Sequence, residues 1–275
     1  MKKRKISLST VILVVILLIG VSLLLYPTVS DYWNSFHQSK AIATYAEAVA
    51  EIDDDRYEKM WNDAVRYNRE LSKNPNHWFL TDEEREEYES LLDISGNGIM
   101  GYIEIPKIKV SLPIYHGVDE GILQIAVGHI EGTSLPVGGL GTHCVVSGHR
   151  GLPSAKLFTN LDELVEGDLF MMRVLDETLT YEVDQILIVE PDDVSALEFE
   201  EGKDLCTLVT CTPYGVNSHR MLVRGHRIEN LEDSSSIRVT ADAQQIKPSL
   251  VAPVVAAPIL LILLVWILVH YRKRR

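Results

Sequence analysis

Cysteine is scarce. Three residues, Cys144, Cys206 and Cys211, are all that the chain carries, an odd number that cannot pair within one chain and is too small for a disulfide-built scaffold. Metal ligation has equally little behind it, because none of the nine histidines stands at paired ligand spacing with cysteine or carboxylate. The acidic clusters Asp192-Asp193 and Glu198, Glu200 and Glu201 read as solvated loops ahead of weak calcium sites, so neither a metal nor a cofactor is expected. No internal repeat is visible, which sets solenoids aside. Positive charge is short as well: 26 Lys and Arg stand against 39 Asp and Glu. Eight of those cations form Lys2-Lys3-Arg4-Lys5 and Arg272-Lys273-Arg274-Arg275, leaving 18 against 39, a net charge of about −21 between the two clusters. Such a surface stays soluble and repels polyanions, which argues against a nucleic-acid partner and leaves basic partners open.

What is present begins with two uncharged apolar runs, residues 6–26 and 249–270, each long enough to cross a bilayer. Basic tails, residues 1–5 and 271–275, flank them on their outer sides. Positive flanks stay cytoplasmic, so both termini are expected inside a cell membrane crossed twice, with everything between them outside. A cleaved signal peptide is the alternative for the first run; its length and the lack of an A-x-A-like site after Tyr26-Pro27 favour an uncleaved span.

Residues 27–40 are a polar and aromatic juxtamembrane stretch. Helical spacing follows at Ile42, Tyr45, Val49 and Ile52, and again at Tyr57, Met60, Trp61, Ala64, Val65 and Tyr67. Asp53-Asp54-Asp55 suits a helix N-terminus between them. Thr81 with Glu84 forms a capping box that opens a short acidic helix. From Ile99 onward the pattern becomes short β-like segments at 99–105, 110–114, 143–147, 169–175, 179–189, 205–210 and 221–228, separated by turns. That spacing predicts a sandwich or barrel. Residues 231–248 read as a polar tether leading to the second apolar run.

Three side chains carry candidate chemistry. Cys211 stands where the run 205–210 ends, Arg220 where the run 221–228 begins, and His149 in a Gly-rich turn closing the run 143–147. A thiolate is a strong nucleophile and positive charge beside it lowers its pKa. An imidazole can protonate a leaving amine and later take a proton from an incoming one. A guanidinium can hold an oxyanion or substrate carbonyls. No carboxylate or amide stands out as an orienter for His149, so a two-residue ion pair plus arginine fits better than a full triad. His129, His143, His219 and His226 are rivals to His149, as Arg224 and Arg227 are to Arg220; Arg150 and Asn217 read as turn residues.

The strings around these residues are specific. Thr-Leu-Val-Thr-Cys at 207–211 with an arginine nine positions on, and Ser-Gly-His-Arg-Gly at 147–151, resemble the sortase family of Gram-positive surface transpeptidases. The longer segments 129–139, 147–158 and 211–227 resemble its pilin-polymerising branch, class C, and the similarity runs over residues 98–229. The resemblance implies a mainly β chain: an eight-stranded sortase barrel over 98–230 with helical inserts near 119–125 and 157–164, an N-terminal helical arm over 27–97, and two flanking transmembrane helices. It also implies a reaction, in which Cys211 attacks the Thr–Gly carbonyl of an LPxTG-like sorting signal and an amine resolves the thioester. Partners would be pilins or surface proteins bearing that signal, with a pilin lysine as acceptor in class C and a cell-wall precursor amine in housekeeping enzymes. The helical arm and the second span favour the pilin branch.

Four further expectations follow from the resemblance. Strands carrying Cys144 and Cys206 are neighbours in such a barrel, so those thiols should lie buried and adjacent, free in preference to bridged. Class C sortases often lay an Asp-Pro-aromatic lid across the cysteine; here the loop 72–80 carries Asn74-Pro75-Asn76-His77-Trp78, without the acidic anchor. Trp78 covering the cleft and Trp78 packing locally on a surface loop both remain. Leu135-Pro136-Val137-Gly138-Gly139 lacks the threonine of a sorting signal and reads as a structural loop, while the C-terminal span with its basic tail, though built like the end of a sorted substrate, has no LPxTG before it and reads as an anchor. A secreted cysteine peptidase and a non-enzymatic surface adhesin are the competing functions.

Overall fold

A computed structural model describes residues 8–230 together with Ile262 and Trp266. The tether 231–248, the basic tails and the second apolar run, apart from the helical and exposed Ile262 and Trp266, lie outside the described residues. Helix α1 (Leu8–Ala50) starts apolar, with an 18-residue window of mean hydropathy 2.7 and nothing in it buried. Among the described residues it is the one helix long and apolar enough to cross a membrane. The sequence suggests a span, an irregular juxtamembrane stretch and then a separate helix; the structure instead has one helix of 43 residues with Pro27 inside it. Proline removes one backbone donor and crowds the preceding turn, but a helix continues through it where apolar surroundings penalise any other backbone geometry. Beyond Pro27 the polar side chains have partners on the barrel, and those contacts hold the helix straight on.

Two helices complete the arm. Asp53 caps α2 (Asp54–Leu71) by accepting from the Arg56 backbone N–H at 2.8 Å. This helix buries Ala64, Tyr67, Asn68 and Leu71 on one side. Buried Asn68 clasps the chain at Leu135 twice, its amide donating to the Leu135 carbonyl at 3.0 Å and accepting from the Leu135 N–H at 2.7 Å. The loop 135–139 is thereby part of the packing, with Leu135 and Val137 buried. Helix α3 (Asp82–Ser90) opens on the Thr81–Glu84 capping box and buries Tyr88 completely.

Eight strands close into a barrel in the order β1-β2-β3-β4-β7-β8-β6-β5: β1 (Ile99–Ile105), β2 (Val110–His116), β3 (Val127–His129), β4 (Thr142–Ser147), β5 (Leu169–Val174), β6 (Glu177–Val189), β7 (Asp204–Thr212) and β8 (His219–Ile228). Strand β3 carries no periodic signal because it has only three residues; it is held by parallel pairing with β2 and antiparallel pairing with β4. Helix α4 (Glu120–Leu123) occupies the first expected insert, while the second shrinks to a 3-10 turn at Leu161–Glu163. Ile103, Val146, Met172, Leu208 and Val223 fill the interior. Gly225 lets Phe170 and Tyr181 stack at 5.5 Å, since a Cβ there would lie 2.7 Å from the Phe170 ring.

Cys144 and Cys206 stand directly opposite each other on parallel strands β4 and β7, both buried and both free. In that pair, burial pushes the Cys206 thiol well above its ordinary pKa, so it stays protonated and unreactive.

His143 lies buried on the outer face of β4. One ring nitrogen is 2.9 Å from the Glu198 carbonyl and the other 2.8 Å from the Thr207 hydroxyl, an arrangement that suits the neutral ring. Burial lowers its pKa and Arg224 acts in the same direction, against the Glu198 carbonyl and the Glu200 and Asp184 carboxylates. The unfolded chain therefore binds this proton more tightly than the native one. Its contribution to stability is fully present above about pH 6.5 and is lost as pH falls toward the folded-state value. Thermal melts from pH 7.5 down to pH 5 should show the midpoint falling, and His143→Gln should flatten that slope.

Candidate active site

The site is a consequence of strand register. Strand β4 runs parallel to β7 with Ser147 opposite Val209. Pairing continues one residue further, because the Gly148 N–H donates to the Val209 carbonyl at 3.0 Å and the Thr210 hydroxyl donates to the Gly148 carbonyl at 2.8 Å. His149, the next residue, is carried level with Cys211. On the other flank, antiparallel β8 places Arg220 directly opposite Cys211. The three residues expected from sequence thus meet at one end of the β4-β7-β8 sheet.

Alternation decides which face they share. Residues 206 and 208 of β7 point into the core, so residues 207, 209 and 211 point outward. Val209 belongs to a separate outer cluster with Val145, Leu197 and Leu222. Cys206 is consequently sealed in the barrel, whereas Cys211 is only half-buried.

Charge separates the arginines of β8. Arg224 is held by Asp184 at 2.9 and 3.1 Å and by Glu200 at 2.8 Å. Arg227 lies 4.0 Å from Asp204. Among the described residues no carboxylate pairs with Arg220, whose guanidinium donates weakly to the Asn217 and His219 carbonyls at 3.3 and 3.2 Å. Asn217 itself has φ +61°, the left-handed conformation of a turn residue.

The histidines separate in the same way. His129 is fully buried against the Tyr88 hydroxyl and the Ser134 carbonyl, His219 lies 3.3 Å from Glu190, and His226 lies 3.8 Å from Asp184. His149 is half-buried at the same strand end as Cys211. Burial lowers its pKa, with the Glu120 carboxylate at the start of α4 pulling the other way. The resting imidazole is accordingly neutral near pH 7, ready to accept a proton.

This geometry agrees with known proteins. A family model described as the Sortase domain matches residues 103–228. Sortase C1 from Streptococcus agalactiae is 52% identical in its crystal structure, with a TM-score of 0.69 over 70% of this chain and 100% of that one. The chain belongs to the sortase family. Clostridium perfringens sortase C, solved with the C-terminal cell wall sorting motif, is 40% identical with a TM-score of 0.62, over 70% of this chain and 99% of its own. Sortase D of Bacillus subtilis is 33% identical over 131 residues, which amount to 46% of this chain and 63% of that protein's length. Class C sortases are therefore the structural neighbours of this barrel.

Within this sortase the loop 72–80 lies along the outer face. His77 is buried, 2.7 Å from the Gly132 carbonyl, and Gly132 has no room for a Cβ, which would meet the His77 carbonyl oxygen at 2.3 Å. Trp78 donates its indole N–H to Glu198 at 3.1 Å and packs on the cluster of Val145, Leu197, Val209 and Leu222. Glu198, one of the acidic residues read as solvated, is thus engaged by the arm, and Glu200 is engaged by Lys203 and Arg224.

Sequence reading missed a strap between the loops that carry His149 and Cys211. Arg150, next to His149, pairs with Asp162 and lies 5.9 Å above the ring of Tyr214, three residues after Cys211. Its side chain is 9% exposed. Gly151 adopts φ +75°, and a Cβ there would fall 2.8 Å from the same ring. An aromatic in a turn gives no signal of such a contact. Gly151→Ala should cost about 1–3 kcal/mol, from the left-handed backbone and the ring overlap together. Adding Tyr214→Ala should return the overlap part of the loss and leave the backbone part, a non-additivity that denaturant unfolding of the four proteins will measure.

Proposed function

We propose that this sortase is a membrane-anchored cysteine transpeptidase that cleaves an LPxTG-like sorting signal between Thr and Gly and transfers the acyl group to an amine. The observation that carries the reading is Cys211 on an outward face, flanked in register by His149 and by the one β8 arginine that no described carboxylate neutralises. Helix α1 supplies the anchor, consistent with its unburied apolar stretch.

The residues suffice for a closed proton cycle. His149 takes the Cys211 proton as the sulfur attacks the threonine carbonyl. Arg220 donates to the oxygen that becomes negative in the tetrahedral intermediate. The C–N bond breaks as the imidazolium hands its proton to the departing glycine nitrogen, leaving a thioester on Cys211. An imidazolium whose pKa burial has lowered is the stronger acid for that transfer. The incoming amine then attacks the thioester, loses its proton to His149, and the regenerated sulfur takes it back. Arg150, Tyr214 and Asp162 hold the loops while this happens.

Likeness to class C sortases supports a pilin lysine as the acceptor, and the structure of the Clostridium perfringens relative with a cell wall sorting motif supports that class of donor. Trp78, fixed to Glu198 on the cysteine's own face, is the candidate for a cover over the cleft.

The full-length enzyme in detergent, given an LPxTG peptide and a lysine-bearing acceptor, should yield the amide by mass analysis. Cys211→Ala should abolish it and Arg220→Lys should lower kcat about 10- to 100-fold, since an ammonium lacks the fork. A product consisting of free acid alone, with acceptor present, would instead make the protein a peptidase. Amide formation that survives Cys211→Ala would end the reading of Cys211 as the nucleophile, and no product from the wild-type enzyme with either a lysine or a cell-wall precursor amine as acceptor would end the transpeptidase reading.

For the cover, the readout is the rate at which a small alkylating agent labels Cys211. Trp78→Ala should raise it several-fold, and an unchanged rate removes Trp78 from that role.

A further inference from the structure

Where the site stands relative to the bilayer is set by α1, on the reading that this helix is the membrane anchor. The apolar run ends at Tyr26 and the helix continues unbroken. At 1.5 Å per residue, Asp31 lies about 7 Å and Trp33 about 10 Å beyond that end. The polar headgroup layer adds about 5–8 Å to each side of the hydrocarbon core, so this turn of helix sits at its outer boundary.

The barrel begins at the same height. Asp31 accepts from the Lys156 backbone N–H at 2.8 Å, and its other oxygen lies 3.9 Å from the Lys156 ammonium. One turn on, the Asn34 amide donates to the Ser154 carbonyl at 2.8 Å, and one more turn on, Gln38 donates to the Ile125 carbonyl at 2.6 Å. Further along, Ile42 and Tyr45 are buried. The first part of the barrel met on leaving the membrane is therefore the segment 152–157, which directly follows His149-Arg150-Gly151.

The surface there is the kind an interface accepts. Trp33 is 63% exposed on one flank of α1, and the Lys156 side chain is 80% exposed beside Asp31 on the other flank at a similar height along the helix. Tryptophan settles at the headgroup level and lysine reaches lipid phosphate. A domain of net charge about −21 is not drawn to an anionic lipid surface by charge, so the rigid helix must supply the attachment.

We propose that the underside of the domain around α1, where Trp33 and the 152–157 loop stand, rests on the headgroup layer of the membrane that α1 spans, so that the loop carrying His149 lies at membrane level. A sorting signal standing just ahead of its own apolar span would be presented at that height.

The test uses the full chain in phospholipid vesicles with Trp33 as sole tryptophan (Trp61→Phe, Trp78→Phe, Trp266→Phe). Lipids brominated near the headgroup should quench Trp33 strongly, and seven alanines inserted between Pro27 and Thr28, which lift the barrel about 10 Å on nearly the same helix face, should at least halve that quenching. The insertion should leave turnover of a soluble LPxTG peptide within about 2-fold and cut turnover of a substrate anchored in the same vesicles at least 10-fold. Unquenched Trp33, or equal turnover of anchored substrate with and without the insertion, overturns the proposal. If neither substrate is turned over by either protein, the transpeptidase reading falls, and the quenching comparison still decides where the domain rests.

Discussion

The parallel ladder between β4 and β7 is the constraint on which everything else in this barrel depends. His149 and Cys211 are distant in sequence, and no local contact sets their separation; six registered pairs from Thr142 with Asp204 to Ser147 with Val209 do. Because side chains alternate along a strand, a slip of one residue would turn Cys211 into the core and Cys206 out to solvent. The register is pinned on both faces. Inside, Cys144 faces Cys206 and Val146 faces Leu208 in close packing; outside, His143 meets the Thr207 hydroxyl, and at the end of the ladder the Thr210 hydroxyl meets the Gly148 carbonyl. The two core thiols are small, matched and sealed from solvent, so the ladder leaves one other thiol at the surface.

Electrostatics then distinguishes side chains that the strand pattern treats alike. In a domain so rich in carboxylates most arginines find a partner, and Arg224 and Arg227 do so with Asp184, Glu200 and Asp204. Arg220, second in β8, instead donates to the carbonyls of Asn217 in the preceding turn and of His219, while the nearby Glu190 pairs with His219. An unneutralised guanidinium opposite a cysteine can answer a developing oxyanion; a paired one would first have to break its salt bridge. Position at a strand end is thus a chemical property here as well as a topological one.

Much of this was legible in the sequence, for physical reasons that differ by element. Strand β1 is read at its observed ends because apolar residues and turn glycines bound it, and α3 because a Thr and a Glu three apart announce a capping box. Strand β3 was not, since three residues carry no period. The unbroken course of α1 was hidden because Pro27 and the polar residues after it look like a break, while their partners lie 87 to 125 residues away, as with Asn34 and Ser154. Cys211, His149 and Arg220 stood out through their surrounding strings. Trp78 did not resolve itself, because its partner Glu198 lies 120 residues on and reads as one more solvated acid.

The loop after β4 joins these strands of reasoning. It carries His149 at its start and closes on itself where the Phe158 N–H meets the His149 carbonyl at 3.1 Å. It leans on Tyr214 of the cysteine's own loop through Arg150 and Gly151. At Ser154 and Lys156 it receives α1. A segment fixed at three places has little freedom to swing, so the imidazole it presents is held by contacts to α1 as well as to the barrel. Docking of α1 and placement of His149 are therefore one structural problem, and a change in either reaches the other through hydrogen bonds already in place.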